Sequence, residues 1–354
     1  MKNLVICLDG TGNQVRATRN TNVVLLYQML DLSDPARQVA YYDPGLGTFS
    51  SGAAWTPVGK RTSQLSGLAF GTGLRTNLGE AYTWLMQNWE PGDEIFVFGF
   101  SRGAYTARAL AGMLRTVGLI RPGLENLVPY AVRAHTRRFD DKSKDEYWGT
   151  VHEFARLFAR AVGGRRTTVP VRYLGLWDTV KSVGILRWEI RWPYTNALPN
   201  VQQCRHAVSI DEKRRPYKHD PVASIAKNGT LEEAWFAGVH SDVGGTFDDK
   251  GPQLSTIALK WVAQAAVAAG LNVKDSVYDS ACAVGPENAL SRVHRTGRNW
   301  ALATYKHRSV PDGASVHSSV EARRQRNPKY AEGRFQGSVR YIDADWAGRL
   351  RQPS

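Results

Sequence analysis

Short unbroken apolar runs recur along the chain: "LVICL" near the start, "QVAYY", "IFVFGF", "VRYLGLW" and "EAWFAGV". Runs of this length fit strands buried on both faces. Between them the apolar period lengthens. "NTNVVLLYQMLD" has helical spacing behind an asparagine or threonine cap. Leu74, Leu78, Tyr82, Leu85 and Trp89 lie on one helical stripe that ends at the Pro91-Gly92 turn. "YTARALAGMLRTVGL" and "LSTIALKWVAQAAVAAGL" predict two more helices. Strands alternating with helices indicate an α/β architecture, a mostly parallel sheet with helices on both faces.

Two stretches break the alternation. Residues 121–168 are rich in charge and aromatics and read as helical, clearest at "YWGTVHEFARLFARAV", whereas residues 183–227 read as irregular. Both follow strands whose carboxyl ends face one edge of the sheet, so they are expected to fold over that edge as a cap. Trp148, Trp188, Trp192, Arg187 and Arg191 are then candidates for contact with a lipid surface. Beyond Val284 the signals weaken, and "EARRQRNPKYAEGR" reads as a basic exposed segment. No repeat or low-complexity linker divides the chain, so residues 1–354 are expected to form one domain with two insertions.

The corner "GFSRG" carries the chemistry. A strand enters it, a helix leaves it, and Gly99 and Gly103 allow a turn sharp enough to put Ser101 at the top of the sheet. That is a nucleophile elbow, and its backbone N–H at Arg102 is a candidate oxyanion donor. Serine needs a base, and the base needs a carboxylate to hold its tautomer. In open α/β sheets ligands bind at the carboxyl ends of strands, so the residue after each apolar run is the place to search. Those positions hold Asp9, Ser101, Asp178 and His240. The order serine, aspartate, histidine is that of α/β hydrolases, which makes Asp178 the candidate acid and His240 the candidate base. His317 in "VHSSV" is the alternative base. Asp242 in "HSDVGG" has no assigned role, and Gly10 and Thr11 are expected to complete the oxyanion hole.

Two other readings of glycine-rich segments are weaker. "LDGTGN" resembles the first strand of a haloacid-dehalogenase-type phosphatase, but Cys7 stands where the nucleophilic aspartate would be. "GTGLRTN" lacks the Gly-Lys-Ser/Thr of a phosphate-binding loop.

The set "LDGTGN", "YYDPGLGT", "GFSRGAYTAR", "LGLWDTV", "SIDEKRRPY" and "AGVHSDVGG" resembles the α/β-hydrolase catalytic domain of the type VI secretion phospholipase effector family. The resemblance implies a serine ester hydrolase, a lipase or phospholipase, with Ser101, Asp178 and His240 in the nucleophile, acid and histidine positions. It implies no cofactor and no metal. The best-known members are longer and carry membrane-facing modules.

Composition bounds the partners. A formal charge of +14 favours anionic ones, and peripheral contact with an anionic membrane is the expectation, with no specific nucleic acid. The N-terminus carries no signal-peptide pattern, and Cys7, Cys204 and Cys282 are too few and too far apart for a disulfide framework. A cytoplasmic protein is expected, or one exported by a signal-peptide-independent system. Two competing functions are a soluble esterase of small or polymeric esters and a non-catalytic scaffold binding lipid or nucleic acid. Covalent labelling by a fluorophosphonate separates the scaffold from the enzymes.

Overall fold

A computed structural model describes residues 1–10, 20–45, 67–136, 144–162, 164, 167–183, 188–189, 192–247, 251–295 and 305–348. Eight strands form one sheet: β1 (Asn3–Leu8), β2 (Gln38–Asp43), β3 (Glu94–Phe100), β4 (Val171–Trp177), β5 (Val201–Ser209), β6 (Thr230–Phe236), β7 (Ser315–His317) and β8 (Arg340–Ile342). Their spatial order is β2-β1-β3-β4-β5-β6-β7-β8, and every neighbouring pair is parallel. This is the α/β fold the alternation predicts, with helices on both faces.

Side-chain alternation along each strand divides the core. Leu4, Ile6 and Leu8 of β1, with Ile95 and Val97 of β3, pack against α2 (Gly67–Asn88) and α3 (Arg102–Thr116). Val5 and Cys7 of β1, with Phe96, Phe98 and Phe100 of β3, face the opposite way onto α1 (Asn22–Met29). Thr21 caps α1, its hydroxyl accepting from the Val24 N–H at 3.2 Å. Cys7, Cys204 and Cys282 are all buried free thiols.

The two irregular stretches are more structural than their composition implies. Within residues 121–168, α4 (Val128–Thr136) and α5 (Lys144–Phe158) pack against each other and against α3. Val128, Ala131, Val132, Tyr147 and Val151 bury their side chains in the same core as β1 and β3. The segment is thus an outer helical layer on one face of the sheet.

Of the stretch 183–227, expected to form part of a cap, Val201–Ser209 instead form β5, which lies between β4 and β6 in the middle of the sheet. Its sequence, "VQQCRHAVS", mixes polar residues into the run and hides it. Those polar residues are satisfied in place: the Arg205 Nε donates to Glu232 Oε2 at 2.6 Å, and His206 Nδ1 lies 2.8 Å from Glu233 Oε2. Trp192 is a core residue, packed at 5.6 Å on Tyr105, whose hydroxyl accepts from the Trp192 N–H. Trp148 lies half-buried between Tyr147 and Tyr194. Arg187, Arg191 and the Trp188 side chain lie outside the described residues.

After β6 the chain forms the short α6 (His240–Gly244), then α7 (Leu254–Ala268), α8 (Asp275–Ala281), α9 (Pro286–Leu290) and, beyond β7, α10 (Ser318–Arg326). No helix among the described residues is long and apolar enough to cross a membrane.

Candidate active site

Ser101 stands between β3 and α3 at φ 60° and ψ −121°, outside the region serine ordinarily occupies. A non-glycine residue in such a conformation persists only where its surroundings enforce it. Here the flanking glycines do so. A Cβ on Gly99 would sit 2.6 Å from the Ala104 Cα, and one on Gly103 would sit 2.1 Å from the Leu8 carbonyl oxygen. The first turn of α3 therefore lies directly against β1 and β3, and no larger residue fits.

The turn after β4 is tied to this elbow. Ser101 N–H donates to the Trp177 carbonyl at 3.0 Å, and the Ser101 carbonyl accepts from the Val180 N–H at 3.1 Å. Asp178, between these two partners, is also held at positive φ, 41°. His240 opens α6 after β6, and its Nδ1 lies 2.6 Å from Asp178 Oδ2. The aspartate accepts, so Nδ1 carries the proton and Nε2 is left as the basic nitrogen. The ring packs on Phe100, the residue before Ser101, at 4.6 Å and meets Tyr217 edge-on at 4.8 Å. Three strand ends predicted from sequence are thus brought together.

Charge sets the state of each group. Burial raises the Asp178 carboxyl pKa, but the Arg308 guanidinium and the His240 hydrogen bond outweigh it and hold the group well below the usual carboxylate range. Burial lowers the His240 pKa, and the bond to Asp178 offsets this only in part. The imidazole is accordingly neutral and available as a base near neutral pH. Glu212 accepts from the His240 backbone N–H at 3.3 Å and pairs with Arg214, which lies over the Tyr217 ring at 3.6 Å. Burial pushes the Arg102 pKa down to about 10.

The remaining sequence candidates separate clearly. Gly10, expected with Thr11 to complete the oxyanion hole, donates its N–H to Asp9 Oδ1 at 2.7 Å. Asp9 itself is a structural hub whose Oδ2 accepts from the Thr21 hydroxyl at 2.5 Å and the Tyr42 hydroxyl at 3.1 Å. Thr11 lies outside the described residues. His317 is fully buried at the start of α10. Its Nδ1 accepts from the Ser319 N–H at 3.2 Å and its Nε2 lies 3.1 Å from Asp343 Oδ2, so both nitrogens are engaged. Asp242 accepts from the Val239 N–H at 2.9 Å and the His294 N–H at 3.1 Å, with His294 Nδ1 at 2.6 Å. It fixes the turn that presents His240.

A histidine-carboxylate group lies close by. His206, His219 and Glu233 bring their ligand-type atoms within 4.8 Å of one another. The Thr179 N–H donates to His206 Nε2 at 3.2 Å, which places the proton on Nδ1, facing Glu233. A donor facing a carboxylate is a hydrogen-bonded array, and a metal in the same place would need that nitrogen deprotonated.

Arg308 is the residue that sequence reasoning missed. It stands in a polar loop with no motif around it, and only the fold carries it to Asp178.

Fold and site together define an α/β protein whose parallel sheet gathers Ser101, Asp178 and His240 at one edge. The chain belongs to the family described as the type VI secretion system phospholipase effector Tle1-like catalytic domain, whose model matches residues 2–265. A curated relative, the uncharacterized protein YEL023C of Saccharomyces cerevisiae, is 38% identical over 224 residues, covering 61% of this chain and 32% of that protein. The chain thus spans about a third of that relative's length. Among solved structures, an uncharacterized protein from Pseudomonas aeruginosa is similar at 19% identity and TM-score 0.42, over 85% of this chain and 48% of the other. The Tle1 effector bound to the VgrG spike of the type 6 secretion system is similar at 18% identity and TM-score 0.37, over 71% of this chain and 52% of that one.

Proposed function

We propose that this chain is a serine hydrolase that cleaves carboxylic esters of phospholipids through an acyl-enzyme. The observation that carries the reading is the 2.6 Å Asp178–His240 bond beside a serine held in an elbow conformation. Ser101 Oγ attacks the ester carbonyl while His240 Nε2 takes its proton, and the carbonyl electrons move onto oxygen. The backbone N–H of Arg102, at the N-terminus of α3, stabilises that oxyanion. Collapse expels the alcohol, which receives the proton from His240. Water then repeats the sequence, releasing the fatty acid and restoring Ser101. Asp178 holds the imidazole tautomer and balances the imidazolium charge.

Membership of a phospholipase effector family favours phospholipids over small esters as the substrate class. The +14 charge favours peripheral binding to anionic membranes, and the family favours export by a type VI system. The test is fluorophosphonate labelling, followed by peptide mapping, alongside fatty-acid release from phosphatidylethanolamine–phosphatidylglycerol vesicles. Label at Ser101 and fatty-acid release support the reading. Absence of labelling overturns the serine mechanism, and labelling with intact vesicles overturns the phospholipid substrate.

A further inference from the structure

Arg308 occupies a position a triad does not require. Its Nη1 donates to Asp178 Oδ1 at 2.5 Å, and its Nη2 lies 3.2 Å from Asp178 Oδ2. The guanidinium is itself anchored: Nη1 also donates to the Ser209 carbonyl at 3.1 Å and the Ser209 hydroxyl at 2.9 Å, and Nε donates to the Tyr217 carbonyl at 3.1 Å. The side chain is only 5% exposed.

Asp178 is therefore saturated. Oδ1 accepts from Arg308 and from the Ser209 N–H at 2.9 Å, while Oδ2 accepts from Arg308 and His240. A carboxylate with a single partner can rotate about its terminal torsion, whereas one held by a planar fork cannot. The fork comes from a loop beyond residue 265, where the family match ends.

We propose that Arg308 is the positioning residue of the site, fixing the plane of the Asp178 carboxylate so that one oxygen always faces His240 Nδ1. This rests on the reading of Ser101, Asp178 and His240 as a triad. The arrangement has a cost. A fixed cation beside Asp178 weakens the field that would stabilise the imidazolium, so Arg308 exchanges some basicity of His240 for orientation. The other charged or titratable groups around His240 are Glu212, Arg214, Tyr217 and Asp242, the last held by His294.

The test compares Arg308→Met and Arg308→Lys in the full chain. Turnover of a soluble ester is measured, together with the pH titration of His240 by nitrogen-15 NMR, which needs no turnover. Arg308→Met is expected to lose roughly thirtyfold in kcat, within the range for outer partners of an active group. Its His240 titration should move up by about one pH unit as the neighbouring cation is removed. Arg308→Lys restores the charge without the fork, so the titration returns to the wild-type position while kcat recovers only in part. A folded Arg308→Met with wild-type kcat or an unmoved titration overturns the proposal. If Arg308→Met does not fold, Arg308→Lys decides alone: wild-type kcat overturns the fork, and a reduced kcat with an unmoved titration supports it. A wild-type protein inactive on every ester overturns the triad reading itself, separately from the NMR result.

Discussion

Asp178 and His240 stand 62 positions apart in sequence and 2.6 Å apart in space. They meet because Asp178 directly follows β4 and His240 comes four residues after the end of β6, and these strands flank β5 in a sheet whose strands all point the same way. Parallel strands deliver their carboxyl ends to one edge, so chemistry placed just after a strand converges there.

That geometry separates the two candidate bases. His240→Gln is expected to reduce ester turnover on the order of a millionfold, because nucleophile and base act as a unit. His317→Ala is expected to retain turnover yet lose about 1–3 kcal/mol of stability, since it removes a buried helix cap and the partner of Asp343. Kinetics and urea unfolding of both variants check this. An inactive His317→Ala with normal stability would reverse the assignment.

The same burial fixes the pH dependence. The His240 pKa is below the ordinary histidine value, chiefly through desolvation, so the basic form persists to lower pH. The acid limb of kcat/KM should therefore have its midpoint below about 6.5, with activity falling as pH decreases through it. A midpoint above that value would mean the imidazole is more solvated, or more strongly stabilised as a cation, than its packing indicates.

Much of this was legible in the chain because both the strands and the site obey a local rule. The apolar runs of β1, β3 and β4 are buried on both faces, so nearly every residue had to be hydrophobic, and Ser101 and Asp178 follow theirs directly. β5 obeys a different rule. Its polar residues are satisfied by groups distant in sequence, Glu232 and Glu233 on β6 and the Thr179 N–H, so no local period reveals it. β7 and β8 are three residues each, too short to carry a pattern. Arg308 was invisible for the same reason as β5: its role exists only in contacts made across the fold.

The elbow gives a prediction about stability alone. Gly103→Ala would set a methyl group 2.1 Å from the Leu8 carbonyl oxygen and 2.6 Å from that of Asp9, both backbone atoms of the central sheet. Neither can move without displacing β1, so a loss of about 3 kcal/mol is expected. Ser101→Ala keeps the backbone and should unfold within about 0.5 kcal/mol of wild type while losing turnover. Equal midpoints for the wild type and Gly103→Ala in chemical denaturation would contradict the close packing of α3 on β1.

Acid sensitivity is expected from a histidine far from the chemistry. His135, at the end of α4, is fully buried against α3, with Nδ1 3.0 Å from the Thr116 hydroxyl oxygen. Burial pushes its pKa from 6.5 down to about 3. Between those two values the unfolded chain binds a proton that the folded chain refuses. The stability that His135 contributes is thus fully present above about pH 6.5 and is lost as pH falls toward 3, with a slope approaching 1.4 kcal/mol per pH unit. Other buried histidines, His206, His240 and His317, are lowered as well, so the total slope is shared among several groups. His135→Leu removes one of them and leaves the Thr116 hydroxyl its bond to the Gly112 carbonyl. Urea unfolding at a series of pH values between 6 and 4 should show a shallower slope in this variant, by roughly 1.4 kcal/mol per unit, whatever its absolute stability. Parallel slopes in the two proteins would mean that the folded chain admits the proton at His135, and that α4 does not seal this side of the core.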